Sequence, residues 1–233
     1  MRYDDLFIDF DDTLCDTHGS AELALREVFR EFLLEHRFAD PEAFYTAYWQ
    51  TNIELWQRYG RGEITRDFLI VERFRRPLSM GSGPVPTEEY CRQMGDRFLE
   101  YCVVMARPIE GARELVDYLR GRGYRLHLAS NGFHEVQHRK IVACGMEGCF
   151  ATVVLSEDAK ANKPQRAFFD YAFRITGAQP ATTLMIGDGW DSDMMGAIGY
   201  GLDTIYYNRF PDYPPPRPVT YEVKALADIK EIL

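Results

Sequence analysis

A chain of 233 residues with 46% hydrophobic and 14% aromatic side chains can bury a true core, which excludes a disordered, collagenous or low-complexity polymer. Its 36 acidic residues against 27 Lys plus Arg leave a formal charge of −9, a field that repels a nucleic-acid polymer, although a metal ion and a few local cations can reverse the sign inside a small site. No apolar run approaches the roughly 18 residues of a membrane helix, and the acidic opening MRYDDLFIDFDD is unlike an export signal, so no membrane partner is expected and the expected location is cytoplasmic.

The run from Leu6 to Phe10 is short, flanked by acids and rich in Phe and Ile, as a buried strand would be. From about His18 the period becomes helical, carried by Leu23, Val28, Phe29, Phe32 and Leu33. Pro41 opens a second helical stretch, PEAFYTAYWQTNIELWQRYG, with Phe44, Tyr48 and Leu55 on one side. Thr65 caps a third, TRDFLIVERFRRPL, which Pro77 is expected to end. After the loop SMGSGPVP, Thr87 and Glu88–Glu89 suit the start of a fourth, TEEYCRQMGDRFLEYCVVM, so that residues 18 to 105 read as nearly all helix. Beyond Pro108 strands are expected at Tyr124–Ser130, Thr152–Ser156, Thr183–Ile186 and Thr204–Tyr207. Helices are expected near 111–121, 134–144, 165–176 and 192–199. The Pro-rich loop FPDYPPPRP interrupts this rhythm before a short strand near Tyr221 and a terminal helix. Cysteines 15, 91, 102, 144 and 149 are odd in number and form no CxxC pair, as reduced structural thiols do.

Strands separated by helices of this length make βαβ units and a parallel sheet covered on both faces. The expected class is therefore α/β: a doubly wound, Rossmann-like parallel sheet formed by 1–16 and 107–233, with an all-helical module, 17–106, inserted after the first strand.

In such sheets ligands bind beyond the carboxyl ends of the strands. The first strand ends in Asp9, Asp11, Asp12 and Thr13 (FIDFDDTL), and the second in Ser130, Asn131 and Gly132. The third is followed by Ser156, Glu157 and Lys163–Pro164, and the fourth by Asp188, Asp191 and Asp193 within IGDGWDSD. Clustered carboxylates repel one another, and a hard divalent cation such as Mg²⁺ compensates them through oxygen ligands. Two acids two residues apart give chemically different groups, one to bind metal and attack, the other to act as general acid and then general base. A lysine and a helix N-terminus hold phosphoryl oxygens. These are the parts of phosphoryl transfer through an aspartyl-phosphate.

DxDxT at 9–13, Ser130 after an apolar strand, KP at 163–164 and GDxxxxD with its acids at Asp188 and Asp193 resemble, in order, the four motifs of the haloacid dehalogenase superfamily, over essentially the whole chain. The resemblance implies that Asp9 is the nucleophile and a magnesium ligand. It implies that Asp11 protonates the leaving oxygen, activates the hydrolytic water and lends its main-chain carbonyl to the metal. Thr13 then positions this pair, Ser130, Asn131 and Lys163 bind the phosphoryl group, Asp188 coordinates magnesium, and Asp193 supports the metal directly or through water. The helical module becomes a cap that opens and closes about the crossings near 15–17 and 105–108 and excludes water during attack.

An acid at Asp11 favours a phosphatase or phosphomutase over a dehalogenase, whose ester intermediate needs no protonated alcohol leaving group. The stretch SNGFHEVQHRKIVACGMEGCFATVVLSEDAKANKP, with Gln137 and Lys140, resembles the YjjG-like pyrimidine 5′-nucleotidases, as do LWQRYGRGEIT and DTIYYN. That resemblance implies a magnesium-dependent phosphomonoesterase acting on a small phosphorylated metabolite, a pyrimidine nucleoside 5′-monophosphate, as a monomer or homodimer. Phosphoglycolate and sugar-phosphate phosphatases and phosphomutases share the frame and remain alternatives.

Three other readings compete. HEVQH at 134–138 matches HExxH, with His134 and His138 as zinc ligands, Glu135 as base and Glu157 available as a third ligand. The metzincin extension is absent, with Ile141 where its Gly belongs, and an exposed polar helix face is the plainer expectation. A non-catalytic binding module is opposed by the presence of every acid that turnover requires. Tyr45, Tyr48, Trp49 and Trp56 could stack a nucleobase, although their helical spacing suits core packing.

Overall fold

The structure is a computed structural model that describes residues 2–209 and 215–233; residues 210–214 of the Pro-rich loop lie outside the described residues. The chain divides into two compact units, Met1–Thr17 with Ala106–Leu233, and His18–Met105. In chain order the elements are β1 (Asp5–Ile8), α1 (Thr17–Glu31), α2 (Pro41–Gly60), α3 (Arg66–Leu78), α4 (Glu88–Val104), α5 (Ala112–Gly121), β2 (Arg125–Ser130), α6 (His134–Ala143), β3 (Thr152–Leu155), α7 (Ser156–Ala159), α8 (Arg166–Thr176), β4 (Thr183–Gly187), α9 (Met195–Tyr200), β5 (Asp203–Tyr207) and β6 (Tyr221–Val223).

In the first unit the strands form one parallel sheet in the order β3-β2-β1-β4-β5-β6. Alternation along each strand feeds two separate cores. Leu6 and Ile8 join Leu126, Leu128, Leu184 and Ile186 against Leu115, Val116 and Leu119 of α5 and Ile141 of α6. Phe7, Ala129, Val154 and Met185 face the other way, onto Phe168, Phe169 and Ala172 of α8 and Ala197 of α9. Ile8 is in register with Leu128 on one side and Ile186 on the other. The strand order reverses between β1 and β4, so the crevice that receives ligands in doubly wound sheets lies between their carboxyl ends.

The strand expected to reach Phe10 ends at Ile8, because Leu14 and Cys15 both donate their N–H groups to the Phe10 carbonyl and fold the chain into a tight loop. The helix expected at 192–199 is preceded by a π turn, Trp190–Met194, since the Asp193 and Met194 N–H groups share the Gly189 carbonyl. Such turns tend to occur at functional sites.

The second unit is all helix, with Asp40, Thr65 and Thr87 accepting cap hydrogen bonds from Glu42, Phe68 and Tyr90. Its core is aromatic: Tyr48 is fully buried against Phe44, Phe74 and Phe98. Tyr45 packs on Phe29 and Phe44, Trp49 stacks on His18 at 4.4 Å, and Trp56 meets Tyr59 edge-on. Two expectations fail here. Leu33 does not extend the face of α1, for the helix stops at Glu31 and Leu33 turns outward at φ 51°, while Leu23 is also exposed. Pro77 does not end α3, which runs to Leu78, because Ser79 closes the turn on the Arg75 carbonyl through both its N–H and its hydroxyl.

All five cysteines are free and buried. Among the described residues no helix is long and apolar enough to cross a membrane.

Candidate active site

The loops after β1, β2 and β4 and the segment between α7 and α8 converge at the switch point. Asp9 leaves the sheet still bonded through its N–H to the Ile186 carbonyl at 2.9 Å, which fixes it between β1 and β4. Lys163, 1% exposed, donates from Nζ to Asp9 Oδ1, Asp193 Oδ1 and the Ala129 carbonyl, each at 2.6 Å. Asp193 in turn accepts the Gly189 N–H at 3.0 Å. Position 187 has to be glycine, since a Cβ there would collide with the Asp193 carboxyl. Thr13 donates its hydroxyl to Asp188 Oδ1 at 2.8 Å and accepts the Asp188 N–H at 3.0 Å.

One oxygen each from Asp9, Asp188 and Asp193 lies within 4.8 Å of the others. A set of carboxylate oxygens of this size fits a hard divalent cation. The electrostatics show the same strain. Burial pushes the Asp9 carboxyl up to about 8, reinforced by Asp193 and Asp11 and opposed by Lys163. Asp188 is raised well above the carboxylate range by burial and by its neighbours Asp9 and Asp193. Burial works against the Lys163 ammonium, but the two carboxylates beside it hold its affinity for the proton above the usual lysine value.

Asp11 stands apart from that trio. Its carboxylate accepts from Thr17 Oγ1 at 2.6 Å, from Gln137 Nε2 at 3.2 Å, from Ser130 Oγ at 3.4 Å and from Lys140 Nζ. Burial would raise it, yet the Lys140 ammonium and these hydrogen bonds hold it below the usual carboxylate range. Ser130 also accepts the Gly132 N–H at 2.9 Å.

Asn131 is tied to the segment that carries Lys163. Its amide donates to the Lys163 carbonyl at 2.9 Å and accepts the Lys163 N–H at 2.8 Å. Both ends of the side chain are thus engaged by the main chain of Lys163, so it braces that residue. Three partners of Asp11, namely Thr17, Gln137 and Lys140, have no expected role in the sequence reading. The available signal is the three-residue spacing of Gln137 and Lys140, which puts both on one helical face. Arg209 holds the loop from outside, donating to the Asp12 carbonyl at 3.2 Å and carboxylate at 3.0 Å. His134, Glu135 and His138 of HEVQH are exposed, and the His134 N–H is bonded to Glu157 Oε2.

The sheet order and the acidic switch-point cluster define a class, and comparison with known proteins gives the same one. Residues 4–201 match the haloacid dehalogenase-like hydrolases, and the chain belongs to that family of enzymes. It is 30% identical to the pyrimidine 5′-nucleotidase PynA of Streptococcus pneumoniae over 236 residues, 100% of this chain and 96% of PynA. It is 28% identical to the pyrimidine 5′-nucleotidase YjjG of Escherichia coli over 244 residues, 100% of this chain and 99% of YjjG. The crystal structure of the HAD-hydrolase YfnB of Bacillus subtilis bound to magnesium, which reveals interdomain movement, superposes with a TM-score of 0.87 at 28% identity. It covers 100% of this chain and 99% of YfnB.

Proposed function

We propose that this hydrolase is a magnesium-dependent phosphomonoesterase that forms an aspartyl-phosphate on Asp9 and acts on pyrimidine nucleoside 5′-monophosphates. The observation that carries the chemistry is the buried Asp9–Lys163–Asp193 group beside Asp188, with a separately held carboxylate, Asp11, two residues along. Two full-length pyrimidine 5′-nucleotidase relatives support the substrate class.

Asp9, Asp188 and Asp193 would hold Mg²⁺, with the Asp11 main-chain carbonyl as a further ligand. Bound Mg²⁺ supplies positive charge that keeps these carboxylates ionised and polarises a phosphoryl oxygen. An Asp9 oxygen attacks phosphorus, the bond from phosphorus to the ester oxygen breaks, and Asp11, ionised in the substrate-free site and protonated from solvent as the anionic substrate binds, gives that oxygen its proton. Asp11 then takes a proton from water as the water attacks the acyl phosphate, releasing inorganic phosphate and restoring Asp9. Ser130 and Lys163 bind the phosphoryl oxygens, and Asn131 fixes Lys163.

Unit His18–Met105 serves as the cap in this reading. The chain leaves and returns through paired segments: Asp16 N–H bonds the Arg107 carbonyl and Ile109 N–H the Leu14 carbonyl, both at 2.9 Å. The interdomain movement seen in YfnB supports a hinge at this place.

The test is phosphate release from pyrimidine and purine 5′-monophosphates, phosphoglycolate and hexose phosphates, with and without Mg²⁺, against Asp9→Asn as the blank. Magnesium-dependent release that favours pyrimidine nucleotides is the expected result. Release that favours another ester keeps the mechanism and removes the nucleotidase reading; activity retained in Asp9→Asn removes the mechanism.

A further inference from the structure

Helix α6 exposes His134, Glu135, His138 and Arg139 but buries Gln137 and Lys140, which are 1% and 4% exposed. An amide and an ammonium go into an interior at a cost unless each finds a partner. Both find the same one. Lys140 Nζ bonds Asp11 Oδ1 and, at 2.8 Å, Thr17 Oγ1, while Gln137 Nε2 bonds Asp11 Oδ2 at 3.2 Å. Gly132 makes room for this arrangement, because a Cβ there would collide with the Gln137 amide.

Asp11 lies in an irregular loop, where a short side chain is poorly oriented by its own backbone. A general acid has to stand within hydrogen-bond reach of the oxygen it protonates. Two donors three residues apart on one helix tie both oxygens of that carboxylate to a rigid element. We propose that Lys140 and Gln137 are positioning residues that aim Asp11 for proton transfer to the leaving group. The inference rests on the acid/base role given to Asp11 above.

The experiment compares kcat/KM for two esters that differ in their need for an acid. The alkoxide leaving a nucleoside 5′-monophosphate needs a proton, whereas the phenolate leaving p-nitrophenyl phosphate needs little help. Lys140→Met should lower kcat/KM about a hundredfold for the nucleotide, the scale of a reacting group displaced by about 1 Å. It should lower the value less than about fivefold for p-nitrophenyl phosphate, and Lys140→Arg should restore most of the loss. In an Asp11→Asn background Lys140→Met should add less than about twofold, because it acts through the group already removed. Gln137→Met gives the same comparison if Lys140→Met does not fold.

Equal losses on both esters would make Lys140 a phosphoryl contact or a purely structural residue, and would overturn the inference. So would an unchanged rate on the nucleotide, or a full further loss in the Asp11→Asn background. The wild-type arm judges the phosphatase reading separately: no phosphate from either ester sinks that reading and this inference with it. An active wild type with an unselective Lys140→Met sinks only the role of α6.

Discussion

Thr13 and Asp188 hold each other by a reciprocal pair of hydrogen bonds, one through the threonine hydroxyl proton and one through the aspartate N–H. Thr13 follows β1 and Asp188 follows β4, so one hydroxyl group ties together the two loops that meet at the switch point of the sheet. It also satisfies a main-chain donor in an interior where leaving it unpaired would be costly.

Thr13→Val keeps the volume and removes both bonds. Unfolding in urea should show a loss of about 1–3 kcal/mol, the range for an orphaned buried polar group, with Thr13→Ser close to wild type. An unchanged urea midpoint in the valine variant would show that the pair has no structural weight.

Asp188 is raised by burial beside Asp9 and Asp193, so in metal-free protein it gains nothing from being charged. Asp188→Asn should leave the metal-free melting temperature equal or higher. Mg²⁺ at about a hundred times its dissociation constant should stabilise wild type by about 2.7 kcal/mol and the variant far less. A full magnesium shift in Asp188→Asn, read by thermal melting, would remove this residue from the metal site.

His127 lies 2% exposed beneath Phe7, with Nε2 on Asp5 at 3.0 Å and Nδ1 buried without a partner. Burial holds its pKa below the ordinary 6.5 despite Asp5, since an imidazolium would put a second N–H where nothing accepts it. The folded state therefore resists a proton that the unfolded chain takes up. Stability should be steady above the unfolded value of 6.5 and fall as pH drops below it, toward the depressed folded value. Urea unfolding between neutral and mildly acid pH should show this slope, and His127→Asn should flatten it. An identical slope in the variant would assign the effect to other groups.

Arg73 is 2% exposed, with Nε and Nη2 unpartnered and its guanidinium 4.9 Å from the Phe98 ring centre and 5.6 Å from that of Phe74. The ring contacts return part of what desolvation removes. Replacing a buried charge by an apolar side chain of similar length is often neutral or favourable by about 1–4 kcal/mol. Arg73→Met should therefore keep or raise the denaturant midpoint, and a marked drop would mean that the ring contacts outweigh desolvation.

The acids of the candidate site are legible in the sequence because Asp9 and Asp188 directly follow apolar strands and Asp193 lies in the turn after the second of them, and a doubly wound sheet sends those ends to one edge. Asp9, Asp188 and Asp193 converge for that reason. Lys140 and Gln137 are hidden for the converse reason. In HEVQHRK only Val136 is apolar, and nothing but packing separates the two polar residues that turn inward with it from the four that face water. Asn131 shows a third limit: its place beside Ser130 does not reveal that its side-chain amide pairs with the main chain of Lys163. Leu33 and Pro77 are local failures, where a left-handed residue and a serine that closes the following turn override periodicity and a helix breaker.

The paired crossing at Asp16 and Arg107 bears on how the two units are joined. Because the inserted segment departs and returns one hydrogen bond apart, the sheet sees it as a closed detour whose length hardly matters, loop-closure entropy growing only slowly with size. The sheet unit can exchange its detour for another, or for a short turn, without altering a strand register. The two units are then separable parts, and a chain with Asp16 joined to Arg107 by a short linker should still melt cooperatively.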